Sequence, residues 1–371
     1  MLRPCIAERV IDIDSHALNF YLAVKEGGPA TTDTLMAYLK KLLILSVAFA
    51  IGAGMQAKKI VEQDFVAEET GLNVTKITDD EMNSVLGPTS GKIWFTNIAK
   101  AAIGGSKKGI QWGSARTLAA SPDGTEIAYL TRKNKQDNIM VRRSSGSGAS
   151  TQRTFRNVRD FCWGADGNLY ISDEIDSDHN KIVSMDAHKG STMRQLTSNN
   201  VDFNPATLDG NTIFFTRNEN NGPSIWSYNK ESGELVNCAR GYQPYPISEK
   251  EFLCTRNSTD GNSEIWLVNY VDGQETLILA DKNMGFSNAS LSPDGQWILL
   301  QANTKSSSTK KQNIDLFVIR ADGTQLTQLT YHPANDFCPV WSADGKQIFF
   351  ISSRGSKDNN YNVWKMNFNL Y

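Results

Sequence analysis

The chain has 371 residues, with 38 Lys and Arg against 40 Asp and Glu, a formal net charge of −2 at pH 7. Its basic residues are scattered, which excludes the basic footprint of a nucleic-acid binder. Five Cys without a Cys-x-x-Cys pair, and four His, argue against a zinc site.

Residues 1–35 carry neither a repeat nor a core pattern, and read as a start-site artefact or an extension, with translation beginning at Met36. Residues 36–57 read as a secretory signal peptide: Lys40 and Lys41, the apolar run from Leu42, then small residues to Ala57. The apolar run is shorter than the about 20 residues of a spanning helix. The expectation is a periplasmic or secreted protein with no membrane span in its mature chain. Residues 85–114 contain one strand-like run, Lys92 to Thr96, with no full repeat around it, and read as an extra hairpin. Trp94, Phe95 and Trp112 stand outside the repeat and are candidates for exposed stacking.

A turn motif then recurs: Ser121-Pro122-Asp123-Gly124, Gly164-Ala165-Asp166-Gly167, Thr207-Leu208-Asp209-Gly210, Ser292-Pro293-Asp294-Gly295 and Ser342-Ala343-Asp344-Gly345. The first three Asp-Gly pairs are 43 residues apart and the next follows after 85, leaving room for a degenerate copy near Ser248-Glu249-Lys250-Glu251. Asp-Gly joins strands because Gly accepts positive φ and Asp bonds nearby backbone. Apolar runs follow each turn, such as Glu126 to Leu130 and Trp297 to Leu300, and a second alternating run comes about ten residues later, such as Ser224 to Ser227. A closing run ends near Leu-Thr, as in Leu196-Thr197 and Leu329-Thr330. Four strands per unit at a period of about 40–45 residues predict propeller blades.

Six units fit, at about 115–155, 157–197, 199–239, 240–280, 283–330 and 332–371. The last lacks a closing strand. Leu72 to Thr78 ends like the other closing strands, so a strand at about 72–78 is expected to complete the last blade and close the ring. An open ring would leave two exposed sheet edges. The fold expected is all-β: a six-bladed propeller of four-stranded antiparallel blades, spanning the mature chain 58–371. Seven blades remain an alternative. Trp226, Trp266, Trp364 and Phe317 share one place in the pattern and read as packing residues between blades.

These units resemble the TolB-like propellers with their WD40-like (PD40) repeats, most closely over residues 121–131 and 340–353, and the resemblance covers about 115–371. It implies a bacterial envelope protein and specifies fold more than function. The chain departs from TolB in lacking a recognisable N-terminal α/β domain. Prolyl oligopeptidases and dipeptidyl peptidases carry similar propellers with an added α/β-hydrolase domain. Here no stretch is left for that domain, and Gly146-Ser147-Gly148 reads as a loop. Oligogalacturonate lyases, also propellers, hold a metal with clustered His. His179, His188 and His332 are spread over two blades and read as loop residues.

Cys162 and Cys338 fall in innermost strands, and all the repeat cysteines read as free thiols. One further pattern bears on function. An Asp-Phe pair enters the innermost strand three times, at Asp160-Phe161, Asp202-Phe203 and Asp336-Phe337. A propeller turns this segment toward its channel. Asp160, Asp202 and Asp336 are therefore candidate ligand-binding residues at the channel mouth, able to receive the positive end of a peptide or a calcium ion. The competing reading is that each carboxylate caps its own strand entry. No catalytic residue and no other cofactor is expected. The leading reading is a monomeric binding module for a protein, peptide or envelope glycan through its channel face. The alternative is a diverged propeller enzyme such as a glycan lyase or hydrolase.

Overall fold

The computed structural model describes residues 64–66, 73–78, 116–133, 136–175, 179–189, 192–198, 201–259, 261–305, 312–355 and 361–368. The readings of 1–35, 36–57 and 85–114 lie outside the described residues.

Strands β1 (Asp64–Val66) and β2 (Asn73–Lys76) come first in the chain but belong to the last blade. Blade 1 contains β3 (Leu118–Ala120), β4 (Glu126–Lys133), β5 (Gln136–Arg143) and β6 (Thr151–Gln152). Blade 2 contains β7 (Val158–Trp163), β8 (Asn168–Glu174), β9 (Asn180–Asp186) and β10 (Arg194–Gln195). Blade 3 contains β11 (Asp202–Ala206), β12 (Thr212–Glu219), β13 (Gly222–Asn229) and β14 (Leu235–Arg240). Blade 4 contains β15 (Tyr242–Pro246), β16 (Glu251–Asn257), β17 (Ser263–Asn269) and β18 (Glu275–Leu279). Blade 5 contains β19 (Phe286–Leu291), β20 (Trp297–Lys305), β21 (Gln312–Arg320) and β22 (Thr327–Gln328). Blade 6 takes β23 (Asp336–Trp341), β24 (Gln347–Ser352) and β25 (Asn362–Asn367), then β2 and β1. The first strands of successive blades touch in a closed circuit, β3 to β7, β11, β15, β19, β23 and back to β3, so they line the channel.

The ring closes as the sequence predicts, with β2 antiparallel to β25 in the register Val74 to Met366. The sequence did not announce β1, which pairs beyond β2 and makes this a five-stranded sheet.

The recurring Thr after the outer strand explains why β2 fits. Thr154, Thr197 and Thr330 are buried, and each accepts the backbone N–H of a third-strand residue: Ile139 at 2.8 Å, Ile182 at 2.9 Å and Leu316 at 3.0 Å. Thr78 does the same for Val363 at 2.9 Å and donates its own proton to Asn362 Oδ1. A hydroxyl thus stands in for the missing strand carbonyl where the outer strand stops. Blades 3 and 4 lack this Thr and run longer outer strands instead.

The core is divided among the blade interfaces rather than gathered at one centre. Leu130, Val141, Phe161 and Ile171 pack blade 1 on blade 2, while Val74, Leu316, Phe350 and Trp364 pack blade 5 on blade 6. Trp226, Trp266, Trp364 and Phe317 all take part in such clusters, as their shared place in the pattern implies.

The turns are built for contact as well as reversal. Ser121 Oγ donates to Asp123 Oδ1 and accepts the Glu126 N–H, and Ser292 and Ser342 repeat this arrangement with Asp294 and Asp344. Gly210 has φ +78°, and a Cβ there would lie 2.4 Å from Asp166 Cγ in the neighbouring blade, so both the backbone and the packing require glycine.

Ile77 is 1 % exposed beside the closing strand and packs against blade 1. Replacing it with Ala is expected to cost about 2–5 kcal/mol, read from urea denaturation of the full chain. A loss below about 0.5 kcal/mol, the range of surface substitutions, would contradict closure by this strand.

Candidate functional site

Four of the inner strands carry a residue in the left-handed region within their first three positions: Asn204 (φ 49°), Gln243 (φ 55°), Asn288 (φ 55°) and Cys338 (φ 51°). Each sits at a bulge where pairing with the second strand shifts. Such a conformation costs a non-glycine residue about 1–3 kcal/mol, and the hydrogen bonds at these positions offset it. Asn204 N–H donates to both oxygens of Asp160, at 3.1 and 3.0 Å, and Gln243 N–H donates to Thr216 Oγ1 at 3.1 Å. Asn288 N–H donates to Gln243 Oε1 at 3.0 Å, and Cys338 N–H to Gln301 Oε1 at 2.8 Å. Each bond runs to the preceding blade. Side chains extend the chain of contacts: Gln243 Nε2 donates to Asn288 Oδ1, and Asn288 Nδ2 donates to Gln301 Oε1. The channel is therefore belted from blade 2 to blade 6 by buried amide, hydroxyl and carboxyl groups.

Arg116 crosses this belt. It precedes β3 in blade 1, and its guanidinium donates to the carbonyls of Pro244 at 2.6 Å and Gln243 at 3.0 Å in blade 4, on the opposite side of the ring. It also lies 6.0 Å from the Tyr245 ring centroid. Burial lowers its pKa, against the opposing influence of Cys162, Asp160, Tyr245 and Cys338. Burial likewise raises the Cys162 thiol to about 12, which leaves it un-ionised and a poor nucleophile at neutral pH.

On one side of the crossing lies a cavity of about 460 Å³ whose lining includes the turns at Pro122, Leu208, Pro293 and Ala343. Its walls are largely apolar, with Leu118, Ala206, Ala289 and Trp341 among them. Arg116 is the one charged residue among the described residues that line it, and Cys162, Asn288 and Cys338 lie beside it. The volume falls in the range of about 300–1,000 Å³ common to ligand sites.

The three carboxylates singled out from sequence are all wholly buried, and each is held by a different partner. Asp202 makes a bidentate pair with Arg217, at 2.7 and 3.0 Å, and the guanidinium lies 4.7 Å from the Trp226 ring centroid. Asp336 pairs with Arg354, which lies over Phe350 at 5.0 Å and near Trp364 at 5.9 Å. Asp160 binds Asn204 through N–H and, at 2.7 Å, through Nδ2. None of the three lines the cavity. Among the described residues no three His, Cys, Asp or Glu side chains assemble as metal ligands. The register also differs: Asp160, Asp202 and Asp336 stand six, seven and eight residues before their Asp-Gly turns, and a one-residue bulge follows Phe203 and Phe337 where blade 2 pairs regularly from Asp160 onward. Asp202 and Asp336 each complete a blade-internal stack of acid, guanidinium and indole.

The histidines are also separate. His188 Nδ1 lies 3.6 Å from Glu126 across blades 1 and 2, and His332 Nδ1 accepts the Ala334 N–H. Neither they nor His179 line the cavity.

Sequence reasoning missed Arg116, although a signal existed. It stands seven residues before Asp123, the same offset at which Asp202 precedes Asp209. It carries the opposite charge and is followed by Thr117 rather than Phe, so the Asp-Phe pattern passed over it. Gln243 and Asn288 were missed because single amides in a strand carry no pattern.

Against known proteins, no family model matches the chain. A segment of 69 residues, 19 % of this chain, is 36 % identical to dipeptidyl-peptidase 5 of Porphyromonas gingivalis, and the match spans 10 % of that protein's length. Among solved structures the fold is similar to TolB from Acinetobacter baumannii, with TM-score 0.54 and 15 % identity over 67 % of this chain and 65 % of that one. It is also similar to a TolB from Agrobacterium tumefaciens, with TM-score 0.50 and 15 % identity over 70 % of this chain and 92 % of that one. An oligogalacturonate lyase from Vibrio parahaemolyticus matches with TM-score 0.52 and 10 % identity, over 82 % of this chain and 96 % of that one. The fold is thus that of TolB-like six-bladed propellers, a fold also used by enzymes.

Two measurements test the assignments of the carboxylates. Changing Asp202 to Ala leaves Arg217 largely buried without its acid, which is expected to cost about 3–5 kcal/mol. Adding Arg217→Met should recover part of that loss in chemical denaturation. A neutral Asp202→Ala variant would free this carboxylate for a ligand role.

Asp160 tests the belt through pH. Burial raises its carboxyl from 3.8 to about 7, against the opposing Asn204 bonds and the charges of Arg116 and Arg159. The folded chain therefore keeps a proton that the unfolded chain releases above 3.8. Its stabilising effect is complete below 3.8 and declines as pH rises to about 7. Relative to Asp160→Asn, which cannot ionise, the wild-type denaturation midpoint should fall as pH rises from 3.8 to about 7 and then level off. A constant difference across that interval would show that Asp160 does not titrate there.

Proposed function

We propose that the protein is a binding module that takes a segment of a partner into the channel from the face of the Asp-Gly turns. The cavity lining carries this reading: apolar walls around one guanidinium, with no carboxylate, imidazole or lysine among the described lining residues. That composition suits recognition, because orientation needs only a few polar groups in an apolar cavity. General acid–base catalysis would need a titrating pair within reach of the ligand. A peptide suits such walls better than a glycan, whose hydroxyls need many free partners. The hydroxyls of Ser121, Ser292 and Ser342 are already engaged within the turns. The signal-peptide reading of residues 36–57 supports a periplasmic or secreted location, and with it a partner from the cell envelope. Among the described residues no helix is long and apolar enough to cross a membrane.

Leu208 lines the cavity and is 49 % exposed, so Leu208→Asp should fold normally while placing a charge at the mouth. In capture experiments from a bacterial envelope extract, the full-length protein should retain a partner that Leu208→Asp loses. Equal recovery by both would reject binding through this cavity.

A further inference from the structure

We infer that the cavity receives the free carboxylate at the C-terminus of a partner polypeptide, and that Arg116 binds it. The inference rests on the reading of the cavity as a partner site. A guanidinium has five N–H donors, and Arg116 spends one on Pro244 O and one on Gln243 O. That leaves three, on Nε and the two Nη atoms, without a partner among the described residues, and Nε with its neighbouring Nη forms the fork that fits a carboxylate. No described carboxylate lies in ion-pair contact with Arg116, and the lining holds no other charge. Asp160 attracts it at longer range, but that carboxyl is bound to Asn204 and sits outside the lining.

The shape of the site selects a chain end. Arg116 bridges to blade 4 and the amide belt lies around it, so an occupant entering past Leu208 and Pro293 must stop at the guanidinium. A polypeptide C-terminus stops there with a negative charge and places its last side chains against Leu118, Ala206 and Ala289. The wall also favours a peptide over a hydrocarbon acid. Ser290 Oγ is buried without a partner among the described residues, and rotation about its χ1 can bring it to a peptide group.

The test is calorimetric titration of the full-length protein with a pool of tetrapeptides ending in Ala, Val, Leu or Phe, each as free acid and as amide, alongside dodecanoate and trigalacturonate. The free acids should bind at least tenfold more tightly than the amides. Arg116→Gln should abolish that preference, and Arg116→Lys should restore part of it. Arg116 also ties blade 1 to blade 4, so Leu208→Asp serves as a second variant that leaves it in place and should weaken acids more than amides. Equal affinity for acid and amide, or a preference that survives Arg116→Gln, overturns the inference and leaves partner capture through the channel standing. Binding of dodecanoate or trigalacturonate without any peptide overturns it as well. So does failure of every probe to bind the wild type, and the capture experiment with Leu208→Asp then decides the broader reading on its own.

Discussion

The hydrogen bonds between β2 and β25 are the constraint on which the ring depends. Every other blade is built from one continuous stretch of chain, and its strands find each other locally. Blade 6 takes its fourth strand from the far end of the described chain, so Thr78 meets Asn362 and Val363 at sequence separations of 284 and 285 residues. Without that contact the outer edge of β25 is bare, and Val74 leaves the cluster that joins blades 5 and 6. The loss would spread, because the core is shared among blade interfaces and each blade has only its neighbours to pack on. Closure also fixes where the inner strands stand, and therefore whether Arg116 in blade 1 reaches the carbonyls of blade 4.

The belt shows what a closed ring permits. Left-handed backbone at Asn204, Gln243, Asn288 and Cys338 aims each N–H at the preceding blade, an orientation that a regular strand would direct along its own sheet. The cost of those conformations is offset only if the neighbouring blade presents an acceptor at the right height. Asp160, Thr216, Gln243 and Gln301 supply it from four different sequence contexts. Backbone strain and side-chain identity are therefore coupled across blade boundaries.

The architecture was legible because its signals are local and repeated. An Asp-Gly turn, an alternating strand and a closing Thr each follow from short-range chemistry, and the copies reinforce one another. Even the displaced strand could be found, since Thr78 takes the part that Thr154, Thr197 and Thr330 take elsewhere. The site was less legible. Asp160, Asp202 and Asp336 do enter the inner strands, but their partners, Asn204, Arg217 and Arg354, stand in or just after second strands or in the next blade, at separations of 15 to 44 residues. Nothing in the spacing of the acids reveals that two of them are neutralised beside an indole. Arg116 was hidden for the opposite reason: it occurs once, and a search for repeats discards single occurrences.

That contrast bears on where function resides in a repeated fold. A group that recurs from blade to blade, such as the turn Asp or the closing Thr, serves the blade. A group that breaks the symmetry has a role set by the assembled ring. In the stacks of blades 3 and 6, the guanidinium groups of Arg217 and Arg354 each face a carboxylate, Asp202 and Asp336. Arg116 departs from that arrangement, because its contacts are backbone carbonyls, which satisfy hydrogen bonds without neutralising charge. A buried cation so placed is stabilised less than one with an acid beside it. The deficit sits in the lining of an apolar cavity, where an anionic ligand would remove it and gain more from doing so than it would in water.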